Sequence, residues 1–184
     1  VFEATCASCH ASGRQNRLGT VIPLAEIGTD PERVNAWTKV AADSANRAVR
    51  NTLGIQRTPM VKPEAGYIAV QLEGIWLRGP YLHNGSVPTL RALLEPEDRR
   101  PAEFYRGYDV LDRQNGGFVS RRCAAGEDPA PAAMSQGFQW GCMLENEGWH
   151  FRTADRGNGN RGHRFGTDLT PAEKGALVEY LKTL

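Results

Sequence analysis

Apolar positions recur at helical spacing in two stretches of this 184-residue chain. In "DPERVNAWTKVAADSANRAVRNTL", Val34, Trp37, Val40, Ala41, Ala45, Ala48 and Val49 lie three and four residues apart, which predicts a helix entered at Asp30 and Pro31 with Trp37 on its inner face. In "GTDLTPAEKGALVEYLKTL", Thr170 and Glu173 have the spacing of a capping box, and Leu177, Tyr180, Leu181 and Leu184 predict the inner stripe of a terminal helix. Between them, Asn84-Gly85 predicts a turn in an extended segment, and Thr89, Leu90, Ala92, Leu93 and Leu94 a short helix after Pro88. Residues 101–119 read as irregular with one short strand. Residues 120–148, rich in Pro, Gly and Ala, read as a surface insertion.

The pattern predicts a mainly α fold with long irregular loops and little strand, a single domain over residues 1–184. Net charge is +1, which gives no reason to expect nucleic acid as a partner. No apolar run approaches the roughly 18 to 20 residues of a membrane span. Val1 is not an initiator methionine, and no basic segment followed by an apolar run marks a secretory signal. "VFEAT" reads as the tail of a longer helix, and the chain as the C-terminal part of a longer one.

Candidate chemistry is concentrated at the start. Cys6, Cys9 and His10 form C-x-x-C-H, the signature of c-type haem attachment: two thiols form thioethers and the histidine ligates iron. A zinc site would need a second close ligand pair, which Cys123 and Cys142 do not provide. A thioredoxin-like pair would need a preceding strand, and only five residues precede the motif. The expected cofactor is therefore one haem c. Covalent haem and a Cys123–Cys142 disulfide, worth about 3 kcal/mol by the chain-entropy argument, both place the protein in the periplasm or at the cell surface.

What fills the sixth iron position decides the function. His83, His150, His163, Met60, Met134 and Met143 are the candidates, imidazole and thioether being the common axial partners. A closed iron only passes electrons. An open one can reduce peroxide or activate oxygen, with Glu145, Glu147 or His150 as conceivable acid/base groups. His163 stands in the Gly/Asn-rich "GNGNRGH", whose glycines permit close approach to a flat cofactor. Met60 follows a proline in a loop. Trp76, Arg78, Tyr81 and Arg91 are candidates for ring packing and propionate contacts, and His83 for a hydrogen bond to a propionate.

"GIWLRGPYLHNGSVPTLRALLEP", "RRPAEFYRGYDVLD" and "GNGNRGHRFGTDLTPAEKGALVEYLKTL", together with "FEATCASCH", resemble the C-terminal half of the bacterial di-haem cytochrome c peroxidase superfamily, in its rubber-oxygenase-like branch. The resemblance implies a cytochrome c-like domain whose haem is an electron-transfer centre with two histidine ligands, His10 and His163. His83 falls in a motif that lies beside the haem without ligating it. In such enzymes oxygen or peroxide binds at a second haem in the N-terminal half. This chain has one C-x-x-C-H, so that chemistry would belong to a missing N-terminal haem domain. The implied partners are redox proteins or other haem subunits of a multi-haem complex.

Overall fold

A computed structural model describes residues 1–54, 64–127, 141–144 and 148–184. The chain opens with two single helical turns, α1 (Phe2–Thr5) and α2 (Ala7–His10), hinged at Cys6. Strand β1 (Val21–Pro23) runs into α3 (Leu24–Ile27), followed by α4 (Glu32–Ala36) and α5 (Lys39–Leu53). Strand β2 (Gly66–Ile68) returns antiparallel to β1, pairing Ile22 with Tyr67. After a 3-10 turn at Ile75–Leu77 come α6 (Leu90–Leu93), β3 (Glu103–Arg106), β4 (Trp149–Arg152) and α7 (Pro171–Leu181). β3 and β4 pair antiparallel, with Phe104 opposite Phe151 and their rings 5.1 Å apart.

The mainly α expectation is overturned. Among the described residues only α5 and α7 exceed five residues, and two small antiparallel sheets stand beside them. One reason lies in the stripe from Val34 to Val49. It is two helices rather than one, because the Thr38 hydroxyl accepts a hydrogen bond from the Ala41 N–H and starts α5 afresh. The inner face of α5 is consequently made of small residues: Ala42 and Asn46 are buried, whereas Trp37 is 40% and Val40 73% exposed. A second reason is that the segments around Tyr67, Phe104 and Phe151 find their backbone partners across the chain, as ladders rather than helical turns.

The core joins Tyr81, Val87, Leu90, Leu94, Leu177, Val178 and Leu181, with Phe2, Cys6 and Trp76 packed against it. It clamps the terminal helix to the cysteine-bearing turns, and Phe2 meets Tyr180 at 5.0 Å. Tyr180, expected inside, is 43% exposed, and Val178 takes the buried place instead. The capping box of α7 is formed: the Thr170 hydroxyl accepts from the Glu173 N–H while the Glu173 carboxylate accepts from the Thr170 N–H. Thr170→Ala is expected to cost about 1 kcal/mol, seen as a lower denaturant midpoint at unchanged slope. Cys123 and Cys142 are joined by a disulfide. Most of the expected insertion, residues 128–140 and 145–147, lies outside the described residues.

Candidate haem-binding site

In the turn that ends α2, the amides of Cys9 and His10 both donate to the Cys6 carbonyl. One helical turn thus brings residues at i, i+3 and i+4 to the same face. Cys6, Cys9 and His10 therefore project together, and both thiols are free. Burial pushes the Cys6 thiol up to about 11, with the nearby N-terminus opposing and Cys9 adding to the rise. His10 Nδ1 donates to the Val70 carbonyl at 2.7 Å. A carbonyl can only accept, so the neutral ring carries its lone pair on Nε2, the nitrogen left for a metal.

His10 faces a cavity of about 620 Å³ whose walls are largely apolar side chains from the core and from β2, among them Ile68, Leu72, Leu90 and Leu94. Cys6 lines it too, and Cys9 lines a smaller adjoining space of about 70 Å³. Across from His10 stands His163, the two ring centres 6.4 Å apart with planes inclined at 49°. Metal–imidazole bonds of about 2 Å and the radius of the rings put two axial imidazoles roughly 6 Å apart, centre to centre. One ion in a flat ligand fits between them.

His163 is held with φ +48° and Leu82, also on the cavity wall, with φ +65°. These are the only non-glycine residues with positive φ among the described residues. Such conformations cost of order 1–3 kcal/mol each and persist where surrounding structure over-determines them. Burial first, then the neighbouring His10 and Arg100, lower His163 to about 4, so the free imidazole is neutral at ordinary pH.

Unpartnered polar atoms supply a second test of fit. Thr29 Oγ1, Tyr67 Oη, both ring nitrogens of His83 and His163 Nδ1 are buried and find no hydrogen-bond partner among the described residues, and all four residues line this cavity. His83 stacks on Tyr67 at 4.2 Å, and burial lowers its pKa despite Asp30 nearby, Arg33 adding to the lowering. Buried polar groups left unpaired are costly, so a cavity with apolar walls and a few such groups, Tyr67 and His83 stacked together among them, suits a ligand that is largely apolar but carries hydrogen-bonding groups. A porphyrin with two propionates has that form. Among the described residues no three histidine, cysteine, aspartate or glutamate side chains gather to hold a bare ion. A porphyrin brings its own equatorial nitrogens and asks only for axial ligands.

The remaining candidates fall elsewhere. Arg78 and Tyr81 line the cavity, where Tyr81 donates to the Ile75 carbonyl and Arg78 to the carbonyls of Gln71 and Glu73. Trp76 packs on the core and is not among the lining residues. Arg91 turns to Glu95 and the Pro171 carbonyl. His150 pairs with Glu103 and stacks on Tyr105 on the β3–β4 ribbon, and Met143 is wholly buried beside the disulfide. Met60, Met134, Glu145 and Glu147 lie outside the described residues. Thr29 and Tyr67 escape sequence reasoning because a threonine in a loop and a tyrosine in a three-residue strand carry no pattern of their own.

Two distant stretches are knitted together at this site. The Asn84 side-chain amide donates to the carbonyls of Gly157 and Gly159, and the Ser86 hydroxyl to Gly159, while the Gly159 N–H donates to buried Asp30. "PYLHNGS" thereby braces the loop that carries His163.

Residues 66–106 match the family described as RoxA-like, cytochrome c-like. That segment contains Tyr67, Arg78, Tyr81 and His83, and the match supports a cytochrome c-like domain of the rubber-oxygenase-like branch. Two proteins of Sinorhizobium fredii (strain NBRC 101917 / NGR234) are also similar. "Uncharacterized protein y4iJ" is 34% identical over 144 residues, covering 73% of this chain and 20% of that protein. "Uncharacterized protein y4iM" is 30% identical over 145 residues, covering 65% of this chain and 32% of that protein. The chain thus spans about a fifth and about a third of the curated relatives it matches. A cytochrome c-like domain implies haem c and a function in electron transfer or related chemistry. No helix among the described residues is long and apolar enough to cross a membrane.

Proposed function

We propose that this chain is a monohaem electron-relay domain of the di-haem peroxidase type, with haem c joined covalently to Cys6 and Cys9 and its iron held by His10 and His163. The observation that carries the reading is the facing pair of imidazoles across the apolar cavity. Haem supplies a one-electron ferric/ferrous couple. The protein's part is to close both axial positions and exclude water, so that oxygen and peroxide find no vacant site and little rearranges on electron gain or loss.

Each group has a definable task. The Val70 carbonyl fixes the tautomer of His10 and raises the basicity of the ligating nitrogen. Leu72, Leu90 and Leu94 keep the surroundings of low polarity, which tunes the potential. Thr29, Tyr67 and His83 offer their unpartnered atoms to the propionates, with Arg78 and Tyr81 on the same cavity wall. Partners are redox proteins or other haem-bearing units, in the periplasm or at the cell surface, where covalent haem and the Cys123–Cys142 disulfide are both stable.

The test is low-temperature EPR and near-infrared spectroscopy of the ferric holoprotein beside His163→Ala. Wild type is expected to be low-spin with two nitrogenous axial ligands, and the variant to turn high-spin. A sulfur-to-iron charge-transfer band in wild type would overturn the ligand assignment in favour of a methionine. A high-spin wild type would overturn the relay itself.

A further inference from the structure

We infer that Arg100, together with Glu97, is a positioning clamp that holds His163 in place toward His10. The inference rests on the reading of His163 as the second axial ligand. Arg100 is only 4% exposed, and among the described residues no carboxylate comes within ion-pair distance of it, though the charge of Glu97 acts on it from farther off. Its guanidinium donates instead to five backbone carbonyls: Nε to Glu95, Nη1 to Asn160 and Gly162, and Nη2 to Leu93 and His163. Three of the five belong to the loop 160–163. Burying a cation is expensive, and it lowers the Arg100 pKa. Only a planar fork with five fixed donors can tie the end of α6 and the histidine loop together in one contact.

Glu97 completes the clamp. One of its carboxylate oxygens accepts from the Gly162 N–H at 2.8 Å and from Arg164 Nε at 3.0 Å. On the opposite side the His163 N–H donates to the Ile27 carbonyl at 2.7 Å. Gly162 has φ +80°, and a Cβ there would come within 2.4 Å of the backbone of Gly28 and Thr29. The loop is therefore pressed against residues 27–29 with no slack, while His163 itself holds a left-handed conformation that a free chain would leave. Arg100 and Glu97 offset that tendency. Neither touches the haem cavity, so they act through His163 rather than on the cofactor.

The readout is competition by exogenous imidazole, titrated optically against the ferric holoprotein. An outside ligand enters only when His163 has left, so its apparent affinity rises in proportion to the open fraction. Arg100→Lys keeps the charge but cannot span the five carbonyls, and is expected to raise imidazole affinity about tenfold or more with haem content unchanged. Glu97→Ala, a change nearer the surface, is expected to raise it by a smaller factor and keeps the clamp testable if Arg100→Lys fails to accumulate. Thr170→Ala, which weakens the fold without touching the loop, is expected to leave the affinity at the wild-type value. Wild-type affinity in both clamp variants would overturn the inference, as would an equal rise in Thr170→Ala, which would reduce the effect to general loosening. A low-spin His163→Ala would instead overturn the ligand assignment beneath it.

Discussion

Replacing Cys6 and Cys9 together by alanine is expected to abolish the haem that stays with the polypeptide after denaturation and acid-solvent extraction. The two thiols stand one helical turn apart on the face that carries His10, and each borders the cavity or its annex. Among the described residues Cys6 and Cys9 are the free thiols, so the proposed covalent tie rests on a thioether to each. Cys9→Ala alone is expected to leave a single thioether, visible as a pyridine haemochrome band displaced toward the longer wavelength of a ring that keeps one vinyl group. Non-covalent binding through His10 and His163 can persist in the double variant, so the decisive measurement is intact mass under denaturing conditions. A haem adduct on the double variant would overturn covalent attachment at these cysteines.

Glu95→Ala is expected to destabilise the fold by about 3 kcal/mol, the lower end of the cost of breaking a buried ion pair from one side. Lys174, in the first turn of α7, is 6% exposed, and its ammonium donates to the Glu95 carboxylate at 2.9 Å. Arg91 meets the other oxygen at 3.3 Å. Removing the carboxylate strands a buried cation with a second cation beside it, where α6 and α7 meet. Equilibrium denaturation against wild type measures the loss, and a change below 1 kcal/mol would show that Lys174 finds water or another acceptor.

The pH dependence gives this prediction a second handle. Burial pushes the Glu95 pKa up, but the hydrogen bond and charge of Lys174, with Arg91, pull it down further, and the net result lies below the ordinary glutamate value. A group whose folded pKa is depressed stabilises fully above its unfolded pKa and loses that contribution as pH falls through the folded value. The gap between wild type and Glu95→Ala should therefore hold at neutral pH and narrow below about pH 4.

How far the sequence could be read depended on the range of each signal. The α7 capping box, a short helix after Pro88 and the Asn84-Gly85 turn were legible because each is settled within a few residues by local hydrogen bonds, although Thr89, expected within that helix, caps it instead. The helix expected from Asp30 onward was misread at Trp37, where apolar periodicity continues but the Thr38 hydroxyl starts a new helix. Periodicity reports which side chains prefer burial, not where the backbone stops turning. The β1–β2 and β3–β4 pairings join segments more than forty residues apart, and a strand of three or four residues is too short to show its alternation.

The chemistry divides along the same line. By itself the sequence determined the haem motif, since a C-x-x-C-H turn brings both thiols and the histidine to one face through the geometry of a single helical turn. It also gave the candidates for a second ligand, level by their local pattern alone, and only the family resemblance of "GNGNRGH" pointed to His163 among them. Only the tertiary structure decided that His163 stands 6.4 Å across from His10 while His150 lies out on the β3–β4 ribbon. Only it brought Thr29, Tyr67 and His83 to the lining of one cavity and set Arg100 across five carbonyls of two segments. Such contacts link residues tens of positions apart, and no local spacing encodes them, because they form only when the whole chain has packed.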